Sequence, residues 1–365
     1  MIHVFISIVL GLTTAAVVIA HQLAAPTFYP DFAAFWDIAG LALKHPELTY
    51  DPASRTPVGT WAYPPSALVV LSPFGMLPFP VAYLVWVLGS LTLYLYFATC
   101  LFDRFKALGL ALLILAPPVW TVTLFGQTTL PMGALVLGAL LVMPDKKLLA
   151  GAMLGIAATI KPQTMIMMPV ALLAIREWRV IASATAASIT ISLIATIVFG
   201  FNIWFDWLGV FPRLFADPVM HQVQISLWPL TSRSPAILLL MAFVACFIVW
   251  TTFRATDRTE HRLVAVVGGA WLVSPYIPVY ELAMIAPAVV AFVLQGIGVS
   301  QPLLKRWRSY IGVVAVFASP IAIVCAPVFL LLNTLVVARQ GGEGQTTASV
   351  NKLFSRVISF RSSFH

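Results

Sequence analysis

The sequence predicts an all-α polytopic membrane protein, a bundle of roughly ten to twelve transmembrane helices with re-entrant or broken segments and external loops. Three observations predict it. Mean hydropathy is +0.97 and 61% of residues are hydrophobic. Only 9% are charged, against roughly 25% in soluble domains. The apolar segments run well beyond the roughly ten residues of a barrel strand, so the backbone must satisfy itself as helix.

The net charge of +8 resides in short basic clusters between apolar segments. That is the pattern of the positive-inside rule and not of nucleic-acid binding. The clusters are Arg104/Lys106, Lys146/Lys147, Arg176/Arg179, Arg254 to Arg262 and Lys305 to Arg308, all expected on the cytoplasmic side. Cys100, Cys246 and Cys325 lie in or beside apolar segments without metal-ligand spacing, and no disulfide framework is expected.

Alternation between these clusters orders the elements. Residues 4–20 lack a basic n-region and read as a retained first span. The polar, aromatic stretch from Tyr29 to Pro65 follows on the outer side with Asp31, Asp37, Glu47 and Asp51. Ser66 to Leu77, bounded by prolines, is too short to cross upright and reads as a re-entrant or interfacial helix. Spans are expected at about 81–102, 107–124 and 129–143, the last two joined by the Gly126-Gln127-Thr128 turn. Residues 148–160 and 163–175 are half-length pieces joined at Lys161-Pro162, which suggests a hairpin with an outward apex. A span at about 180–200 leads to a second external loop, and one at about 235–253 returns from it. A third pair, about 263–275 and 279–295, breaks at Ser274-Pro275-Tyr276-Ile277-Pro278. The stretch 309–338 reads as one tilted span or a hairpin kinked near Pro320, the basic tail favouring the hairpin. The whole reads as one transmembrane domain, 1–338, with external loops at about 21–66 and 201–234 and a basic, disordered tail at 339–365.

The outward elements converge, and their side chains carry the candidate chemistry. Asp31 opens the pattern FAAFWDIAGLAL, as a helix N-cap or as a carboxylate base. Asp37 lies six residues on, about 600° around the helix, so the two form no obvious dyad, and Asp37 is counted among the candidate substrate contacts. Lys161 is a snorkelling interface lysine in the plain reading and a phosphate partner in the functional one. Arg213, His221 and Arg233 on the second loop are similar candidates. Glu281 at a helix start either complements the macrodipole or contacts substrate. Gln127 is a polar turn residue or a substrate contact, and Trp36, Trp61 and Trp228 are interface anchors or sugar-stacking platforms. Tyr63, Tyr276 and Tyr280 complete the candidate substrate-binding set. No GxGxxG, Walker or HExxH motif occurs. A soluble nucleotide-sugar donor therefore has no evident site. One or two loop carboxylates could hold a divalent ion or none; no metal ligand and no cofactor is assigned.

Several ordered pieces carry a resemblance. They are PDFAAFWDIAGLAL with TYDP, WAYPPSALVVLSPFGMLP, the FGQTT turn, LAGAMLGIAATIKPQTMIMMPVALLAIREWR, and SPYIPVYELAMIAPA, covering most of 29–290. Together they resemble the GT-C class of membrane glycosyltransferases, and most of all glycosyltransferase family 87, the polyprenyl-phosphate-mannose-dependent α-mannosyltransferase-like proteins. The resemblance implies a GT-C bundle whose active site faces the outside of a bacterial-type inner membrane. It implies a hexose, mannose by analogy, moved with inversion from a polyprenyl-phosphate sugar to a lipid or glycan acceptor. Asp31 matches the base of the first external loop, and Lys161 matches the family's KP apex. Some relatives carry a histidine where this chain has Tyr280 and Glu281. The rival classes are a transporter or lipid flippase, suggested by the broken helices, and a non-catalytic membrane assembly subunit.

Overall fold

The computed structural model describes residues 31–51, 61–216, 225, 234–274, 276–297, 300–317 and 325–339. The first expected span, Trp228, His221, Arg233 and the tail beyond Arg339 lie outside the described residues. Among the described residues every regular element is helical.

The chain opens with α1 (Asp31–Lys44), α2 (Pro65–Gly75) and α3 (Phe79–Thr99). The 11 residues of α2 reach only about 16 Å, half of a bilayer core. The expected short element is therefore present, and it lies on α1 with Leu68 and Leu71 buried. The third expected span differs from its sequence reading. Instead of one helix, α4 (Lys106–Leu115) and α5 (Pro117–Phe125) meet at a 64° bend. Pro117 lacks an N–H and drives the preceding Ala116 out of the helical region, to ψ 121°.

Next come α6 (Thr129–Val142), α7 (Lys147–Ile160), a 3-10 turn (Pro162–Met165), α8 (Met168–Ala174) and α9 (Trp178–Phe199). The half-length pieces α7 and α8 form the expected hairpin, closed at its open end by Lys147 Nζ to Glu177 Oε2 at 2.8 Å. Short helices α10 (Ile203–Leu208) and α11 (Phe211–Ala216) follow. The chain continues with α12 (Pro235–Ala255), α13 (Thr259–Val273), a 3-10 turn (Val279–Met284) and α14 (Ala286–Leu294). It ends with α15 (Leu303–Phe317) and α16 (Cys325–Arg339).

Helices α3, α9 and α12 are long and apolar enough to cross a membrane, and the bent α4–α5 pair makes a fourth if counted as one span. The remaining apolar helices are shorter, 10–17 residues, so the described residues hold three to four full-length crossings where roughly ten to twelve were expected; prolines and glycines break the other apolar stretches into half-length pieces. The last stretch is two helices side by side. Arg308 and Asn333 both reach His261, and a Cβ on Gly312 would meet the Phe329 ring at 2.7 Å. Pairing 308 with 333 and 312 with 329 is an antiparallel register.

The largest helix contact is α7 on α9, and its cause is the sequence Gly151-Ala152-Met153-Leu154-Gly155. Two glycines four apart present one bare helix stripe, the small-xxx-small device of membrane helices. A Cβ on Gly155 would sit 2.5 Å from the Ala184 carbonyl oxygen, and one on Gly151 2.5 Å from the Val180 carbonyl oxygen. Ser183 Oγ donates to the Leu148 carbonyl at 2.7 Å across the same seam. Gly155→Val is expected to cost about 1–3 kcal/mol through overpacking, read as a lower midpoint of thermal unfolding in detergent. An unchanged midpoint would contradict this close approach.

Candidate active site

Four breaks in helical structure deliver the site. The first is the start of α1, where Asp31 occupies the first turn. The second is the α5–α6 turn. Gly126 ends α5 with φ +64°, and a Cβ there would lie 2.6 Å from Phe32 Cβ. Glycine satisfies both demands, the left-handed backbone and the close approach of α1. The turn is pinned further by Trp86 Nε1, which donates to the Gly126 carbonyl at 2.8 Å. Gln127 is thereby aimed at the start of α1, and its Nε2 donates to Asp31 Oδ2.

The third break is Lys161-Pro162. The ring of a following proline disfavours the α region, and Lys161 takes φ −135°, ψ 78°. The freed carbonyls at this helix end find partners. Thr164 Oγ1 donates to the Lys161 carbonyl at 2.8 Å, and Ser66 Oγ to the Thr159 carbonyl at 2.8 Å. The second of these ties the start of α2 to the KP apex. The fourth break runs from Tyr276 through the Val279–Met284 turn, which carries Tyr280 and Glu281. Ile225 donates its backbone N–H to the Ile277 carbonyl at 2.9 Å and so lies beside the same segment.

At the centre, Lys161 Nζ donates to Glu281 Oε1. Lys161 is 5% exposed and Glu281 1% exposed. A buried charge in an apolar bundle needs such a partner. The ammonium also lies 5.6 Å from the Tyr63 ring centroid and 5.7 Å from that of Tyr280. The Tyr63 hydroxyl is 3.0 Å from Thr128 Oγ1, next in sequence to Gln127. Tyr276 lies against Tyr280. Asp31, partly buried at the start of α1, has its carboxyl raised above the usual range by burial. The Gln127 hydrogen bond and the Lys161 charge pull it back in part.

The structure thus brings Asp31, Tyr63, Gln127, Lys161, Tyr276, Tyr280 and Glu281 into one cluster. Trp61 stacks on Tyr63 with centroids 4.9 Å apart and meets Phe35 of α1 edge-on. Arg213 stands one layer out. Its Nη2 donates to the Tyr50 carbonyl at 3.1 Å, while the Tyr50 hydroxyl donates to the Tyr63 carbonyl at 2.7 Å. Asp37 is exposed on the far side of α1. Trp36 Nε1 is spent on the Leu77 carbonyl at 2.8 Å, an α1–α2 tie. Tyr50, Ser66 and Thr128 were missed by sequence reasoning; only the adjacency of Thr128 to Gln127 offered a signal. Among the described residues no three His, Cys, Asp or Glu side chains gather as a metal site.

The basic clusters lie one helix length away. The 14 residues of α7 separate Lys147 from Lys161, about 21 Å along the axis. At that far end Lys147 meets Glu177, Arg258 Nη2 meets Glu260 Oε1 at 2.8 Å, and Arg308 lies over the Phe292 ring at 3.6 Å.

Removing one partner of the central pair strands the other. Glu281→Ala is expected to destabilise by about 3–5 kcal/mol. The double variant Lys161→Met/Glu281→Leu, which removes both charges, is expected to lose less. Thermal unfolding of the three proteins in one detergent checks this; equal losses would mean the two charges do not depend on each other.

Comparison with known proteins agrees with this architecture. The chain matches no curated protein and no solved structure. The family model of glycosyltransferase family 87 matches residues 61–275, more than half of the chain and the stretch that holds Tyr63, Gln127 and Lys161. By that match, this integral membrane protein belongs to glycosyltransferase family 87.

Proposed function

We propose that the protein transfers a hexose, mannose by family resemblance, from a polyprenyl-phosphate sugar to a lipid or glycan acceptor, with inversion, at the outer face of a bacterial-type inner membrane. The observation that carries the proposal is the juxtaposition of a polarised carboxylate, Asp31 with Gln127, and a buried lysine, Lys161 with Glu281, at the end of the bundle opposite the basic clusters.

In the reaction, the acceptor hydroxyl oxygen attacks the anomeric carbon of the donor. Asp31 takes the hydroxyl proton as the new carbon–oxygen bond forms. The bond from the anomeric carbon to the phosphate oxygen breaks, and its electron pair leaves with the polyprenyl phosphate. One base suffices, because inversion at a single step needs no second carboxylate as nucleophile. Burial raises the proton affinity of Asp31, which suits a base that must accept a proton from an alcohol. Gln127 orients that carboxylate through its Nε2. The Lys161 ammonium has three donors, more than Glu281 Oε1 uses. The remainder face the leaving phosphate, where a fixed cation stabilises the charge that develops. Trp61 and Tyr63, already stacked, supply an aromatic wall for the sugar or the prenyl tail. Arg213 contributes from one layer out, and Arg233 and His221, which follow it in the sequence, are further candidates for the donor side. Positive clusters at the opposite end fit a cytoplasmic far side.

Asp31→Asn is expected to lower transfer by about 10²–10⁴-fold, the usual worth of a general base. The assay is transfer of labelled sugar from a polyprenyl phosphate by purified, folded protein; near-normal turnover would remove Asp31 from the role of base. The pH profile supplies a second check. A base must be deprotonated, so activity rises with pH through the Asp31 pKa, which lies above the ordinary carboxylate value. Gln127→Leu removes a hydrogen bond that favours the ionised form, so it should move the acid limb to higher pH. A shift to lower pH, or none, would contradict the pairing.

A further inference from the structure

Two buried atoms of the cluster, Glu281 Oε2 and Gln127 Oε1, have no hydrogen-bond partner among the described residues, and both are acceptors. Glu281 offers Oε1 to Lys161, but its Oε2 is buried without a hydrogen-bond partner among the described residues. Gln127 donates its Nε2 to Asp31, and its Oε1 is likewise buried and unpartnered. The two residues are 1% and 6% exposed. A buried carboxylate oxygen or amide oxygen without a donor is costly and rare in native structures. Both atoms belong to residues that directly hold the two charged groups of the site, Asp31 and Lys161, and those two groups act on each other electrostatically. What completes such a site must bring hydrogen-bond donors to it. The phosphate of a lipid donor has none to offer when ionised, whereas ring hydroxyls of a sugar do.

We infer that Glu281 reads one hydroxyl of the transferred sugar through Oε2, with Gln127 Oε1 accepting from a second hydroxyl. Glu281 is then a specificity-determining residue as well as the counter-ion of Lys161. The inference rests on the proposed transfer reaction and goes beyond it, because it names which atoms discriminate one sugar from another. A hydroxyl that donates to a buried carboxylate is read strongly. Its absence leaves the charged oxygen unpaired, and the penalty falls on the analogue that lacks the hydroxyl and not on its neighbours. An acidic sugar, whose carboxylate would meet Asp31 and Glu281, is disfavoured for the same reason.

The test uses full-length protein in detergent with synthetic polyprenyl-phosphate hexoses, each deoxygenated at one ring position, and a membrane lipid extract as acceptor. The wild type is expected to lose about 10- to 100-fold in kcat/KM for the one deoxy donor that lacks the hydroxyl read by Glu281. In Glu281→Gln, whose amide still offers an oxygen but no charge, the same deoxygenation is expected to cost several-fold less, while the other positions keep their wild-type penalties. Gln127→Leu is expected to relax a different position. A wild type that treats all deoxy donors alike overturns the inference while leaving the transfer reaction in place. So does an unchanged penalty in Glu281→Gln. If that variant does not fold, the wild-type profile together with Gln127→Leu still decides. A wild type that transfers no sugar from any polyprenyl phosphate, the intact hexose included, overturns both readings.

Discussion

The ion pair between Lys161 and Glu281 is the constraint around which the rest of this structure is arranged. The two residues stand 120 positions apart and are both buried. Neither charge is tolerable in an apolar bundle without the other, since an uncompensated buried ion costs several kcal/mol. To bring them together, α7 must stop at Pro162, and α13 must stop before the Tyr276–Glu281 segment. Each interruption frees backbone groups that lipid cannot satisfy, and the surrounding polar side chains exist where those groups are. Ser66 and Thr164 serve the carbonyls at the end of α7, and Tyr94 donates to the Ala283 carbonyl beside Glu281. Broken helices and polar side chains are thus two aspects of one solution, which places charge at depth and keeps it hydrogen-bonded.

The second half of the site is positioned by steric fit. Phe32 follows Asp31 and packs on Trp86 with centroids 5.6 Å apart and on Tyr83 at 5.9 Å. Gly126 leaves the room for it. The carboxylate thus sits on a helix held by aromatic contacts, and its hydrogen-bond partner sits on the turn that those contacts shape. The second apolar core, built from α1, α2 and the Trp204–Leu214 region, connects to the main bundle through Tyr63. Trp204 and Trp207 spend their N–H groups inward, on Thr196 and on the Ala62 carbonyl. Such rings are structural members of the outer layer as much as interface anchors.

Much of this was legible in the sequence because membrane proteins write their constraints plainly. Hydropathy and the basic clusters gave the helical class and the side on which the polar breaks gather. Pro162 marked the apex at Lys161, and the proline before the Val279 turn marked the other break. What periodicity could not give was partnership. Glu281 read as a residue at a helix start, and Lys161 as a phosphate partner; nothing local says that they neutralise each other. The bend at Ala116 was written in Pro117-Pro118 but was masked by unbroken hydropathy on both sides. The Gly151–Gly155 stripe was equally visible, and its meaning depended on knowing that α9 is the neighbour. Arg213 read as a phosphate partner on the loop, and the structure holds one of its donors on the Tyr50 carbonyl, one layer out from Lys161. Asp37 read as a substrate contact, although its position about 600° around the helix from Asp31 already turned it away from that face, and the structure leaves it exposed.

The most direct measurement is a cryo-EM map of the protein bound to a polyprenyl-phosphate hexose. The sugar should lie between Asp31 and Glu281, with its anomeric carbon beside the Asp31 carboxylate and its phosphate within hydrogen-bond reach of Lys161. A donor whose phosphate sits instead at the basic end, near Arg258 and Arg308, with no density against Asp31, would contradict the assignment of the active site.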